Sequence, residues 1–441
     1  MSEQVDLLIS ARWVIPVDAT DATLEHHSIA IHKGRIVAVL PSNIARERYH
    51  ATTETRLPDH VLIPGLINLH THAAMTLMRG IADDLPLMTW LQTAIWPTEA
   101  QHVSPAFVRD GTLLAAAEML RGGITTCNEM YFYPDAAAAS FDALGMRCVI
   151  GITAIDFPTS YAASADEYLS KGLAARDAWR GNPLVRFALA PHAPYTVSDT
   201  TFSRIVSLSN ELDLPIHIHI HETAQEIEDS LKQYGERPLE RLARLGLVES
   251  QLIGVHAVHL TPSEIETLAR HGCALAHCPT SNMKLASGIA PVAAALAHGI
   301  PIGLGTDGAA SNNRLDIFQE MRMAALLAKV STQDAAAIPA KTALRMATQH
   351  GAKALGLEND IGSIEVGKWA DLCAVDLSPF ETQPCFDPAS HLVYCAGREH
   401  VSDVWIAGQA RVSNKQVLQK ADNELLGVAR VWQNKVGSRF D

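Results

Sequence analysis

The sequence predicts a (β/α)8 barrel with a small β-sandwich built from both chain ends. Three observations carry this expectation. Eight short apolar runs recur between positions 61 and 307. Stretches with apolar residues at helical spacing separate them. Short strand-like segments bounded by turn residues occupy both flanks of that region. Eight strands alternating with helices over about 250 residues match one closed parallel barrel.

Taken in order, the N-terminal flank holds strand-like segments at 7–14, 28–38 and 60–63, with Lys33-Gly34 as a hairpin turn. The eight runs follow at 62–72, 124–132, 147–153, 185–194, 216–222, 253–258, 273–279 and 301–307. Helical spacing marks 105–121, 200–212, 237–245, 262–270 and 290–297 among the intervening stretches. Beyond the barrel, 362–366, 371–375, 401–406 and 409–412 read as strands, with Gly408 in a turn, and 422–436 reads as an amphipathic helix. A chain of 441 residues is too long for one ordinary core, and neither flank is large enough to bury one alone. The expected division is a sandwich domain of residues 1–60 and 366–441, including the C-terminal helix, and a barrel domain of residues 61–365.

With 48% hydrophobic residues the chain is globular. Its formal net charge of −13 argues against a nucleic-acid partner or an anionic membrane surface, though not against a small nucleoside as substrate. Seven cysteines form no CxxC pair, as expected of thiols in a reducing cytoplasm. The opening Met1-Ser2-Glu3-Gln4-Val5-Asp6 lacks the basic and apolar regions of a signal peptide. No apolar run reaches the length of a membrane span. A cytoplasmic protein is expected.

Catalytic residues of such barrels sit at the C-terminal ends of the strands, and here those ends are rich in metal-binding side chains. The first strand ends in His70-Thr71-His72. Strand residues i and i+2 point to one face, so both imidazoles aim at one spot. Alone the pair is weak, since the chain carries 20 histidines. The fourth run leads into His192, the fifth carries His217, His219 and His221 before Glu222, the sixth reaches His256, the seventh His277 and the eighth Asp307. Structural histidines have no reason to gather at one end of every strand. Strand parity leaves His217, His219 and His221 equivalent, because all three alternate onto one face.

On these residues the chain resembles the amidohydrolase superfamily over nearly its whole length. Pro64-Gly65-Leu66-Ile67-Asn68-Leu69-His70-Thr71-His72 is similar to that family's first-strand signature. His277-Cys278-Pro279-Thr280-Ser281-Asn282-Met283-Lys284-Leu285 and Gly305-Thr306-Asp307-Gly308-Ala309-Ala310-Ser311-Asn312-Asn313 resemble its adenosine-type and triazine-type deaminase branch. That branch carries its metal histidine three residues before a catalytic glutamate, which selects His219 and Glu222. His217 is then expected buried in the barrel, and His221 near the mouth without coordinating. Two-metal members carry a carboxylated lysine at the end of strand four; 185–194 has no lysine. The resemblance therefore implies one divalent metal held by His70, His72, His219 and Asp307. Zinc is the default, and iron, manganese or nickel also suit such ligands. Catalysis falls to Glu222, His256 and Asp307. Glu222 protonates the ring nitrogen beside the amino-bearing carbon, Asp307 takes the proton of the attacking water, and His256 orients that water. His277 either stands behind these groups or is a core residue bonded to backbone.

Substrate contacts are expected from the long loop at 78–100. Ile95-Trp96-Pro97-Thr98-Glu99 resembles the segment of methylthioadenosine/S-adenosylhomocysteine deaminases whose glutamate binds the ribose hydroxyls. A carboxylate suits a vicinal diol because it accepts two hydrogen bonds; the plain alternative is a solvated glutamate at a helix end. His192 resembles a second contact near the sugar. Trp90 and Leu91 pack either on the substrate or into the core. Glu222 and Asp307 complete the substrate-binding set. The arginines after strand three that pair with the carboxylate of S-adenosylhomocysteine have no counterpart in 151–158, and Arg147 lies at the strand start. Arg314 stands where relatives often place an acidic residue. The expected activity is metal-dependent hydrolytic deamination of a 6-aminopurine nucleoside, with 5′-methylthioadenosine or adenosine ahead of S-adenosylhomocysteine, in a homo-oligomer (dimer or tetramer) by analogy. A guanine or other base deaminase, or a triazine chlorohydrolase, is the alternative on the same scaffold. A non-catalytic scaffold would show an eroded ligand set, and this one is intact.

Overall fold

The computed structural model describes residues 3–437. Each of the eight runs coincides with one strand, two of them overrunning the expected bounds by one residue, and the strands lie parallel in chain order: Leu66–Thr71, Ile124–Glu129, Arg147–Ala154, Val185–Pro191, Ile216–Ile220, Leu252–His256, Ala274–His277 and Ile302–Leu304. Every residue in them except Arg186 is buried, which is why the runs are apolar throughout rather than alternating. The helices Pro105–Arg121, Asp199–Leu212, Pro238–Arg244, Pro262–Arg270 and Val292–Ala297 lie where apolar spacing put them. Ser104, Ser198 and Thr261 cap three of these, each accepting a backbone N–H of the first turn.

The last strand is only three residues long, and side chains help to close the barrel. The Asn68 amide donates to Thr306 Oγ1 (2.8 Å), and its oxygen accepts the Thr306 N–H (3.0 Å). The Asp307 N–H donates to the His70 carbonyl (3.0 Å). Gly305 permits the approach, since a Cβ there would lie 2.9 Å from that of His70. Closure thus sets Asp307 against His70.

The expected sandwich takes the form of one continuous mixed sheet. Its order is Gln416–Val417, Gln409–Ser413, Val401–Ile406, Leu372–Asp376, Tyr49–Pro64, Glu3–Val14, Leu24–His32 and Arg35–Pro41. The sheet curls on itself. Ile36 N–H donates to the Lys368 carbonyl (2.9 Å) and Gly367 N–H to the Ile36 carbonyl (2.8 Å), joining the edge strand to the approach of Leu372–Asp376. The enclosed face packs Leu7, Ile9, Ile29, Ile31 and Ile36 with Leu372, Ala374 and Trp405. Lys33-Gly34 turns the hairpin as expected. Two expectations differ. The strand at 60–63 is the end of a longer one, Tyr49–Pro64, whose polar first half pairs with Glu3–Val14 and carried no apolar signal. The segment 362–366 forms no strand; Ile364 is buried in the enclosed face and donates its N–H to the Pro16 carbonyl (2.8 Å), so its apolar content marks packing, not pairing.

Sheet and barrel meet at the barrel base. Arg147, opening the third strand, donates from Nε and Nη2 to the two Asp371 oxygens (2.9 and 3.3 Å). Asp371 also accepts the Ala407 N–H (2.7 Å), and its carbonyl accepts the Gly65 N–H (2.9 Å). Gly65 is where the chain turns from sheet into barrel; a Cβ there would lie 2.1 Å from Thr125 Oγ1. The final helix, Asp422–Gly437, packs Trp432 edge-on against Phe107 (5.2 Å between centroids). Among the described residues no helix is long and apolar enough to cross a membrane.

Candidate active site

Four imidazoles and one carboxylate converge at the barrel mouth. Asp307 Oδ1 lies 3.3 Å from Nε2 of both His70 and His72. His70 Nε2 and His219 Nε2 are 3.2 Å apart. Ligand atoms of His70, His219, His256 and Asp307 all lie within 4.8 Å of one another. The other ring nitrogens are engaged. Nδ1 of His72 faces the Met130 carbonyl (2.5 Å), that of His219 the His192 carbonyl (2.7 Å), that of His256 Asn282 Oδ1 (2.9 Å) and that of His70 Nε2 of His217 (3.0 Å). An oxygen acceptor fixes the proton on Nδ1, leaving Nε2 of His72, His219 and His256 as lone pairs aimed inward. Converging nitrogens beside a carboxylate suit a divalent cation: His70, His219, His256 and Asp307 can together hold a single metal ion, with His72 Nε2 beside Asp307 Oδ1 at the edge of that set.

The surroundings tune these groups. Burial, opposed by the Asp307 hydrogen bond, lowers His70 to about 3. Burial also pushes His219 well below the usual imidazole range. It disfavours charge on His72 too, but the Asp307 carboxylate outweighs it and raises His72 to about 9, so a proton competes with a metal cation for its Nε2 and this side of the site favours positive charge. Asp307 Oδ2 accepts the hydroxyls of Ser281 (2.6 Å) and Ser311 (2.7 Å), which leaves Oδ1 to the imidazoles. Asp307 (φ 58°) and His256 (φ 68°) sit in a backbone region that non-glycine residues rarely adopt, a form of strain that gathers at functional sites. Glu222 Oε2 lies 3.7 Å from His256 Nε2. Burial raises the Glu222 carboxyl above its ordinary range; the Asp307 charge adds to this and the His256 charge opposes it.

A cavity of about 480 Å³ opens on this cluster. It is lined by His72, His192, His219, Glu222, His256 and Asp307, and by Trp90, Leu91 and Glu99 from the loop after the first strand. His70 is fully buried behind them. Among the described residues, the lining contains no lysine or arginine. Burial raises Glu99 to about 7 against the pull of the Tyr131 hydroxyl, which donates to its Oε1 (2.6 Å). Glu99 is half-buried by area with its carboxyl turned inward, so the solvated helix-end reading does not hold. Trp90 is both buried and cavity-lining, its indole N–H donating to the Ile81 carbonyl (3.3 Å). A π-helical turn, Leu91–Ile95, joins Leu87–Trp90 to Trp96–His102, a feature frequent at functional sites.

His217 is buried as expected, and His221 accepts the Leu239 N–H at Nε2 (3.0 Å), away from the cluster of ligand atoms. His277 lines a water-sized space of about 10 Å³ beside His256, and its Nδ1 has no partner among the described residues, so it is not bonded to backbone there. Arg314 pairs with Asp316 (2.9 Å), the cap of the helix Ile317–Thr332, and does not line the cavity. Sequence reasoning missed Glu129, Tyr131, Glu226, Ser281, Asn282 and Ser311. Glu129 is buried, accepts the Ala73 N–H with both oxygens (3.1 and 2.9 Å) and is raised by burial to about 8. Glu226 accepts the N–H of His221 (3.1 Å) and of Glu222 (2.8 Å). Ser281, Asn282 and Ser311 lay inside the quoted motifs. A charged residue closing an otherwise apolar run was the available signal for Glu129.

The amidohydrolase family model matches residues 61–411. The 5-methylthioadenosine/S-adenosylhomocysteine deaminase of Teredinibacter turnerae is 45% identical over 435 residues, covering 99% of this chain and 98% of that one. The crystal structure of an adenosine deaminase from Xanthomonas campestris with bound zinc superposes with a TM-score of 0.98 at 51% identity, covering 99% and 100% of the two chains. The zinc complex of the atrazine chlorohydrolase from Arthrobacter aurescens gives 0.90 at 25% identity, covering 97% and 99%.

Proposed function

Because the chain belongs to the amidohydrolase family, we propose that it is a metal-dependent deaminase of 6-aminopurine nucleosides, acting on 5′-methylthioadenosine and adenosine ahead of S-adenosylhomocysteine. One observation carries this reading: a single cavity opens on the His/Asp cluster and is lined by the raised carboxyl of Glu222 and the inward carboxyl of Glu99. His70, His72, His219 and Asp307 are the residues that would hold one divalent metal, and the zinc in the relatives named above favours zinc. A divalent metal held by these residues would supply Lewis acidity and would lower the pKa of a bound water.

The protein's own groups do the rest. Glu222, with its carboxyl held above its ordinary range, keeps a proton for the purine ring nitrogen next to C6, which makes C6 electrophilic. Asp307, fixed at Oδ2 by two hydroxyls, presents Oδ1 to take a proton from the attacking water. His256, its Nδ1–H held by Asn282, presents Nε2 towards Glu222 and helps carry that proton to the departing ammonia. Glu99 accepts the ribose hydroxyls, His192 contacts the sugar, and Trp90 and Leu91 pack on base or 5′-substituent. The amino-acid carboxylate of S-adenosylhomocysteine finds no lysine or arginine in the lining among the described residues and would be desolvated unpaired.

The test is kcat/KM for the three nucleosides, followed by the absorbance change of adenosine-to-inosine conversion. Higher kcat/KM for 5′-methylthioadenosine and adenosine is expected. S-adenosylhomocysteine as the best substrate overturns the preference, and hydrolysis of guanine or a chlorotriazine with no nucleoside turnover overturns the class. The cysteines, all unpaired, support a cytoplasmic location, and a homo-oligomeric state is read by light scattering.

A further inference from the structure

The segment after the second strand, Met130-Tyr131, is held on three sides. Met130 N–H donates to the Thr71 carbonyl (3.0 Å), and its own carbonyl accepts from His72 Nδ1 (2.5 Å). The Tyr131 carbonyl accepts the Thr153 hydroxyl (3.0 Å). The first and third strands therefore fix this pair of residues. The polar side-chain group of the pair, the Tyr131 hydroxyl, donates to Glu99 Oε1 (2.6 Å). Glu99 rides on the short helix Trp96–His102, outside the barrel strands. The terminal torsion of a glutamate is broad and has no sharp rotamer of its own. A carboxylate that must meet two neighbouring hydroxyls needs an external restraint, and here it is a phenol anchored beside a proposed metal ligand. Tyr131 Oη engages one lone pair of Oε1, leaving the other and both of Oε2 to a ligand.

We infer that Tyr131 is the positioning residue that aims Glu99 at the sugar, setting the distance between the reacting carbon and the ribose diol and so the selectivity for nucleosides that keep both hydroxyls. The inference rests on the ribose reading of Glu99 above. Tyr131→Phe removes a single oxygen and keeps the ring packed against Phe132 (5.2 Å between centroids).

The experiment compares kcat/KM for adenosine and for 2′,3′-dideoxyadenosine in wild type, Tyr131→Phe, Glu99→Gln and the double variant, with metal content and thermal midpoint checked for each. The ratio of the two values, adenosine over dideoxyadenosine, is expected to fall about tenfold in Tyr131→Phe, the size of one hydrogen bond to a charged group. Glu99→Gln should lower it further, and the double variant should match Glu99→Gln, because the phenol acts only through the carboxylate. A Tyr131→Phe enzyme that loses activity equally on both substrates, ratio intact, overturns the inference and leaves a structural tyrosine. So does a double variant with the two losses simply multiplied. A ratio left intact by Glu99→Gln overturns the ribose reading itself, and the inference with it. If Tyr131→Phe loses metal or melts early, the same ratio is read in Tyr131→Leu, which lacks the hydroxyl too and is expected to give the same fall.

Discussion

The barrel buries charge at both ends, to opposite effect. At its base Arg147 and Asp371 saturate each other: both Asp371 oxygens accept from the guanidinium, one takes a backbone N–H as well, and the side chains are 7% and 2% exposed. At its mouth the groups stay unsaturated. Ligand atoms of His70, His219, His256 and Asp307 crowd within 4.8 Å of one another, Nδ1 of His277 lacks a partner among the described residues, and Asp307 and His256 hold strained backbone. The base is built to attach and the mouth to bind. An end whose hydrogen bonds are complete has little left to offer a ligand, and an end that offers much gives up stability for it.

Substitutions at the two ends should therefore separate activity from stability. Glu222→Gln, at the mouth, removes the proposed proton donor and should lower kcat about a thousandfold, with metal content unchanged by elemental analysis. Retained turnover would take Glu222 out of the mechanism. Arg147→Ala, at the base, strands a buried carboxylate and should cost about 3–5 kcal/mol in urea unfolding, while the folded enzyme keeps its kcat. A kcat loss in still-folded protein would break the independence of the two ends. Zinc at a hundred times its Kd should stabilise chelated protein by about 2.7 kcal/mol, because it answers lone pairs that the folded chain leaves facing one another. A thermal midpoint indifferent to zinc would remove the cation reading of the mouth.

The smallest effect is on pH. Glu99, raised to about 7, takes a proton as pH falls through that value and loses acceptor capacity for the sugar diol. KM for adenosine should then rise about tenfold by pH 6, while that for a nucleoside lacking both hydroxyls rises less. A flat KM for adenosine across pH 6–8 would mean that the Glu99 proton is not what the sugar feels.

Much of this contrast was legible in the sequence, unevenly. The mouth announces itself because imidazoles and a carboxylate end runs that are otherwise apolar, and strand ends of a barrel are neighbours in space whatever their separation in sequence. His219 needed the spacing to Glu222, since parity treats His217, His219 and His221 alike. Ser281, Ser311 and Tyr131 were not legible as supports. Their work depends on which side chain faces them after closure, and periodicity reports the burial of a residue's own element, never its partner. Arg147 was seen to lie far from the mouth, but its partner Asp371 is distant in sequence and no local pattern links them. The curl of the terminal sheet was hidden for the same reason. Ile364 looked like strand because a residue packed into a sheet's enclosed face and one within a sheet have the same composition.

The order of strands in the terminal sheet has a consequence for synthesis. Tyr49–Pro64 is bonded along one edge to Glu3–Val14 and along the other to Leu372–Asp376. The first partner leaves the ribosome before it, the second more than three hundred residues later. Until then a growing chain carries an unpaired strand edge ending in Val61-Leu62-Ile63, of the kind that recruits other chains. The proposed metal ligands, His70, His72, His219 and Asp307, are all translated by residue 307, while that edge is still open. A chain stopped at residue 365 is accordingly expected in the insoluble fraction on cell lysis, with every residue of the mouth present. On this expectation solubility would rest on the last strands to be made, and the proposed chemistry on those made earlier.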